Sequence, residues 1–175
     1  MKKYCYALFL SIVVFTQISA EKKPDNKQYR AEVFSIADGD TITVLVKGQK
    51  LKIRLHGIDT LEVHNNKKAK EQKILLKKKT VTEVMEWGKK AKQMTAGLIP
   101  AGTIVYLELD KKKVDKYKRV LAYVFLEDGK MLNELLLQEG LALPYEKTIK
   151  SLKYSEILIK AWQKAVFEEK GIWKK

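Results

Sequence analysis

Between residues 31 and 55 the chain carries three β-forming runs in close succession, with a tight-turn signal between each pair. Residues 31–36 (AEVFSI) are rich in apolar and β-branched side chains and contain no breaker. Residues 41–46 (TITVLV) are bounded by Asp38-Gly39-Asp40 on one side and by Gly48 on the other. Residues 50–55 (KLKIRL) alternate strictly, which puts Leu51, Ile53 and Leu55 on one face. Consecutive strands joined this way predict a β-meander. Two further strands are expected over 103–109 (TIVYLEL) and 120–125 (VLAYVF), with Asp128-Gly129 as a turn after them.

The helical signals fall elsewhere. Residues 67–86 are rich in Lys, Glu and Leu and predict a helix, open to interruption around Lys79-Thr80. A second helix is expected over 89–98, ended by Pro100 and Gly102. A short helix fits 133–139, with Gly140 at its C-terminal cap. A longer one fits 151–169, closed by Gly171, with Ile172-Trp173 packing back on the body. Five short strands with helices inserted late predict an α+β chain, mainly β: a small five-stranded Greek-key barrel of the OB-fold type, with about three helices packed around it. Such barrels often bind oligonucleotides.

The first residues do not belong to that pattern. Lys2 and Lys3 precede a mostly apolar run over residues 4–15, which ends in Ile18-Ser19-Ala20 before the charged Glu21-Lys22-Lys23. This is the arrangement of a secretory signal, with cleavage expected after Ala20. The apolar run is short for a membrane span. Residues 21–28 read as a flexible lead-in and 29–175 as the folded domain. The expected address is therefore secreted or periplasmic, with no stable membrane partner once the signal is removed.

Charge narrows the function. The 175 residues hold 35 Lys and Arg against 21 Asp and Glu, a formal net charge of +14. That balance points to a polyanionic partner. One cysteine and two histidines exclude a disulfide framework within the chain and argue against a Cys/His zinc site.

Against this positive background four clusters stand out: Asp38-Gly39-Asp40-Thr41, Arg54, Asp59-Thr60-Leu61-Glu62, and Asp115-Lys116-Tyr117-Lys118-Arg119. Singly, each is an ordinary turn, helix cap or surface charge. Together they place Asp40, Asp59 and Glu62 at strand ends. Carboxylates gathered at one place repel one another unless a cation sits among them. All-oxygen ligands suit Ca²⁺ or Mg²⁺. The planar forks of two arginines suit a phosphate on the other side. A metal, a spare carboxylate and two arginines are the parts needed to hydrolyse a phosphodiester.

These three spaced motifs, Asp-Gly-Asp-Thr, Arg-Leu-x-x-Ile-Asp-Thr-x-Glu and Asp-Lys-Tyr-x-Arg, resemble the thermonuclease (staphylococcal nuclease-like) family. Leu121-Ala122-Tyr123-Val124, Asn133-Glu134, Gly140-Leu141-Ala142 and Gly171-Ile172-Trp173 are similar too, so the likeness runs from about Ala31 to Trp173. The resemblance implies a five-stranded OB-type barrel with three helices and a calcium-dependent nuclease acting on DNA and RNA as a monomer. It implies Asp40 and Asp59 as carboxylate ligands of Ca²⁺, Thr60 as a backbone carbonyl ligand, and Asp38 close by, acting through water. Glu62 is then the general base or the group that orients the attacking water. Arg54 and Arg119 bind the scissile phosphate, and Lys116, Tyr117 and Tyr145 contact the nucleotide. The bond broken in the family is that between phosphorus and the 5′ oxygen.

The chain departs from the family pattern in three places. Leu61 stands where Pro is usual, which predicts a less preset turn at Glu62. Lys118 stands where Gly is usual, which predicts strain of about 1–2 kcal/mol and a displaced Arg119 if the position needs positive φ. The stretch from Glu62 to Gly88 is longer than usual and dense in lysine, which predicts added affinity for the nucleic-acid backbone. Tyr117 and Tyr145 are placed to stack on bases, which favours single strands. The rival readings are a non-catalytic OB-fold module that binds nucleic acid, and a cationic protein that adheres to anionic membranes or glycans.

Overall fold

The computed structural model describes residues 28–145 and 147–174. The export segment expected at 1–20 and all but the last residue of the lead-in expected at 21–28 lie outside the described residues.

Strands β1 (Tyr29–Asp38), β2 (Thr41–Val46) and β3 (Gln49–Leu55) form the expected meander. The β2–β3 hairpin closes in two residues, Lys47 and Gly48, both with positive φ (49° and 79°), as the right-handed twist of the flanking strands requires. After β4 (Ile58–Thr60) come two helices, α1 (Lys67–Leu75) and α2 (Val81–Leu98), then β5 (Ile104–Val114) and β6 (Val120–Phe125). Helix α3 (Leu132–Gln138), β7 (Ala142–Pro144) and α4 (Ser155–Phe167) complete the order, with single 3₁₀ turns at Ile149–Ser151 and Gly171–Trp173.

The five long strands close into a barrel in the order β1-β2-β3-β6-β5. All neighbours are antiparallel except β3 and β6, which pair in parallel through Arg54↔Leu121. Strand β5 closes the cylinder on β1 through Ala31↔Val105. Inward-facing residues alternate along each strand: Ala31 and Val33, Ile42 and Val44, Ile53 and Leu55, Val105 and Leu107. Strand β6 is buried at its four central residues, with α3 packed against it and α4 packed on α3. This is the five-stranded OB barrel that the order of strands and helices predicts.

The four α-helices among the described residues correspond to the four helical segments read from the sequence. Two features differ from expectation. The break near Lys79-Thr80 is real: the Thr80 side chain caps α2 by accepting from Glu83 N (3.1 Å), and Lys79 N donates to the Glu83 carboxylate (3.1 Å). The second helix then starts at Val81 rather than Lys89 and runs through Gly88 without a break. Finally, β4 and β7 pair with each other outside the barrel, through Asp59↔Leu143. Neither is long enough to show a period of its own.

The corner between β3 and β4 is pinned from inside the protein. Asn133 on α3 is fully buried; its amide accepts from Val124 N (3.0 Å) and donates to His56 O (2.9 Å). The barrel, α3 and the start of β4 are thereby fixed to one another just before Asp59.

Candidate active site

Three chain segments converge at one end of the barrel. The first is the β1–β2 turn carrying Asp38, Gly39 and Asp40. Gly39 is required by a close approach: a Cβ there would lie 2.7 Å from Ala91 Cβ and 2.8 Å from Thr60 Cγ2. Helix α2 rests on this turn and also holds its backbone, since Thr95 Oγ1 donates to Gly39 O at 2.8 Å. Asp40 is 5% exposed and accepts from Thr60 N at 2.6 Å and from the Thr41 hydroxyl at 3.1 Å.

The second segment is the end of β3 with β4 and the turn beyond it. Arg54 is 9% exposed, and its guanidinium lies between two carboxylates, paired with Asp40 through Nη1 and with Asp59 through Nη2. Burial opposes ionisation of Asp40, but the Arg54 charge and the Thr60 N–H outweigh it and hold the carboxyl below its ordinary range. Asp59 is raised, chiefly by burial, with Lys68 and Arg54 pulling the other way. Asp38 is pushed up to about 6 by burial and by the Asp40 charge beside it.

The turn that carries Glu62 is not held by proline. Leu61 is instead driven into a second apolar cluster with Ala69, Val84, Leu143 and Ile172. The buried Gln72 side chain clamps the turn, accepting from Glu62 N (2.9 Å) and donating to Thr60 O (3.3 Å). At Gly88, α2 lies against the same backbone; a Cβ there would be 2.6 Å from both Leu61 O and Glu62 O. The expectation of a loosely set turn is therefore corrected: two helices fix it from behind. Glu62 itself accepts from the Asn66 amide (2.7 Å) and meets the Lys68 ammonium (2.9 Å). Burial opposes its ionisation, and those two partners lower it below the usual value.

The third segment is the β5–β6 loop. Asp115 organises it: its carboxylate accepts from Tyr117 N (2.8 Å) and Arg119 N (3.0 Å), and pairs with Arg119 Nε and Nη2 (both 2.8 Å). Lys118 has φ 60°, so this position does adopt the conformation for which glycine is suited. The Asp115 carboxylate, holding Nε and Nη2 of Arg119, aims that side chain at the barrel end, where Nη1 reaches Thr41 Oγ1 at 3.4 Å.

These segments enclose a cleft of about 670 Å³, open to solvent. Asp38, Asp40, Arg54, Asp59, Thr60, Glu62, Lys116, Tyr117, Arg119 and Tyr145 all line it. The sequence therefore points to one place. Tyr117 is two-thirds exposed and Tyr145 nearly half, with Arg119 and Lys116 over the Tyr117 ring at 5.4 and 4.9 Å. The residues that sequence reasoning missed are Asn66, Lys68, Gln72 and Asp115 in its organising role. Asn66 had a local signal, as a helix cap before a lysine-rich helix. Lys68 and Gln72 had none that separates them from their neighbours.

Among the described residues no group of three or more Asp, Glu, His or Cys side chains is placed to hold a metal ion. The donor chemistry nonetheless fits a hard divalent ion: Asp40, Asp59 and Glu62 are carboxylates lining one cleft, and a cationic nitrogen, that of Lys68, already lies between two of them.

The fold and the site define an OB-barrel protein with carboxylates and two arginines around one cleft at the barrel end. Residues 52–175 match the staphylococcal nuclease homologue family, and the chain belongs to that family. It is 30% identical to the thermonuclease of Staphylococcus hyicus over an alignment of 187 positions that covers 99% of each chain. It is 34% identical to the endonuclease YncB of Bacillus subtilis, across 79% of this chain and 58% of that one. An uncharacterised protein of Methanocaldococcus jannaschii, MJ1439, is 32% identical across 85% of this chain and 73% of its own. Nuclease is the activity class that this membership supports.

Proposed function

We propose that this protein is an exported, calcium-dependent nuclease that hydrolyses phosphodiester bonds of DNA and RNA. The observation that carries the reading is the convergence of Asp40, Arg54, Asp59, Glu62 and Arg119, from three separate segments, on one cleft. In this reading the Asp40 and Asp59 carboxylates and the Thr60 carbonyl hold Ca²⁺, with Asp38 beside them. When bound, the ion supplies positive charge that lowers the cost of a negatively charged transition state.

The chain's own residues do the rest. The Glu62 carboxylate accepts a proton from the attacking water, or orients it, and Asn66 keeps Glu62 in place. Arg119, aimed by Asp115, binds the scissile phosphate and offsets the charge that develops on it. Arg54 reaches the same phosphate from the edge of β3 while anchoring Asp40 and Asp59. Lys116 pairs with the nucleic-acid backbone, and Tyr117 and Tyr145 offer rings on which unpaired bases stack. We assign residues 29–175 to one nuclease domain acting as a monomer, preferring single strands. Residues 1–20 we assign to an export signal, removed after Ala20, with no membrane partner afterwards.

The test is cleavage of denatured DNA and of RNA by wild type, E62Q and R119A, in calcium and in chelator. Wild type should cut both substrates in calcium alone, and each variant should lose at least about 100-fold in kcat. Tight binding without scission, indifferent to E62Q, would replace the enzyme with a binding module. The N-terminal residue of protein recovered outside the cell should be Glu21.

A further inference from the structure

Lys68 stands apart from the lysines around it. Its ammonium lies 3.0 Å from Asp59 Oδ1 and 2.9 Å from Glu62 Oε1, so one positive charge bridges two carboxylates that line the cleft. Its neighbour Lys67 is 93% exposed at its side chain and meets Glu71 at 3.9 Å. The placement follows from where α1 begins. Asn66 caps the helix by accepting from Ala69 N (2.9 Å) and also donates to Glu62, which sets the helical phase that turns residue 68 toward the site.

We propose that Lys68 is a tethered cation that competes with the divalent ion for the Asp59 and Glu62 carboxylates, so that this chain loads its metal more weakly than the carboxylates alone would. The inference rests on the calcium reading above. An ion entering beside Asp59 either meets the ammonium at close range or displaces it from two charge-assisted hydrogen bonds, and both routes reduce affinity. Displacement need not disturb the fold. The Lys68 side chain is 45% exposed, while Ala69 and Gln72 anchor α1 on its buried side. The ammonium can therefore rotate into solvent and leave the Gln72 clamp on the Glu62 turn intact. In the metal-free protein the same ammonium relieves the repulsion between Asp59 and Glu62.

Calorimetric titration of the whole mature chain with calcium chloride tests this directly. K68M and K68Q should each bind Ca²⁺ about tenfold tighter than wild type, a fraction of the full Coulomb effect because the group is half exposed. K67M, which removes the same formal charge one residue away, should stay within about twofold of wild type by the screening of exposed charge. Added calcium should also raise the unfolding midpoint more for K68M than for wild type. If wild type binds calcium and both Lys68 variants bind it no more tightly, Lys68 is not a competitor and the inference fails while the calcium reading stands. If wild type and the Lys68 variants all fail to take up calcium, the calcium reading fails and takes the inference with it.

Discussion

Lys118 shows how a single backbone angle sets up a conflict between stability and geometry. Its φ of 60° lies in the left-handed region, where a Cβ costs roughly 1–2 kcal/mol. The strain is tolerated because both flanking groups are tied to Asp115: Lys118 N donates to its carbonyl (3.1 Å), and Arg119 to its carboxylate. Replacing Lys118 by Gly relieves the clash but frees the unfolded chain as well. The net expectation for K118G is a gain of about 0.5–1 kcal/mol, read from urea unfolding, with Arg119 unmoved. A loss of stability would show that the loop does not depend on that angle. Leu61 makes the complementary point. A residue that lacks proline's fixed φ is held instead by burial, and the hydrogen bonds that set its turn come from Gln72, eleven residues further along.

Helix α2 is the element that assembles the site. It touches the Asp38–Asp40 turn through Ala91 and Thr95 and the Leu61–Glu62 turn through Gly88, so one rigid rod sets the spacing of two carboxylate-bearing turns. Gly88 makes the dependence measurable. Helix propensity alone favours Ala over Gly by about 1 kcal/mol. The packing argument has the opposite sign, because the new methyl would lie 2.6 Å from two carbonyl oxygens that cannot rotate away. Packing should win: G88A is expected to lose about 1–3 kcal/mol of stability and to lower kcat more than it changes KM, because the displaced atoms carry Glu62. An active G88A protein more stable than wild type would mean that α2 does not bear on that turn. The second helix was expected over 89–98; it begins eight residues earlier, at Val81, and carries Gly88 inside it, where the glycine allows contact with another segment.

At the scale of the whole molecule, the C-terminal helix is attached to the barrel through a polar clip. Asp110 on β5 accepts from Tyr123 Oη on β6 (2.6 Å) and from Lys153 N just before α4 (2.9 Å). Burial opposes ionisation of Asp110, and the Lys153 N–H and Tyr123 hydroxyl outweigh it, so its folded value lies below that of the unfolded chain. The clip's contribution is therefore complete above the unfolded carboxylate value of about 3.9 and is lost as pH falls through the lower folded value. D110N should unfold at a lower temperature than wild type at pH 6, and the two midpoints should draw together below about pH 3. Midpoints that stay equally far apart at pH 6 and pH 2.5 would remove the charge from this account.

Much of the architecture is legible in the sequence alone. β-branched runs and one strict alternation place the barrel strands, Asp-Gly pairs and Gly48 place turns, and the order of the acidic and arginine motifs names the residues that line the cleft. These are local signals, set by side-chain period and by the few residues that accept a given φ. What tertiary structure alone decided is which groups meet. That α2 runs through Gly88, that β4 pairs with β7, that Gln72 clamps the Glu62 turn, and that Lys68 rather than any of its neighbouring lysines enters the carboxylate cluster all depend on contacts between segments far apart in the chain. A lysine in a lysine-rich helix carries no local mark of its partner; only the helical phase, fixed by Asn66 and by the packing of Ala69 and Gln72, selects one ammonium for the site.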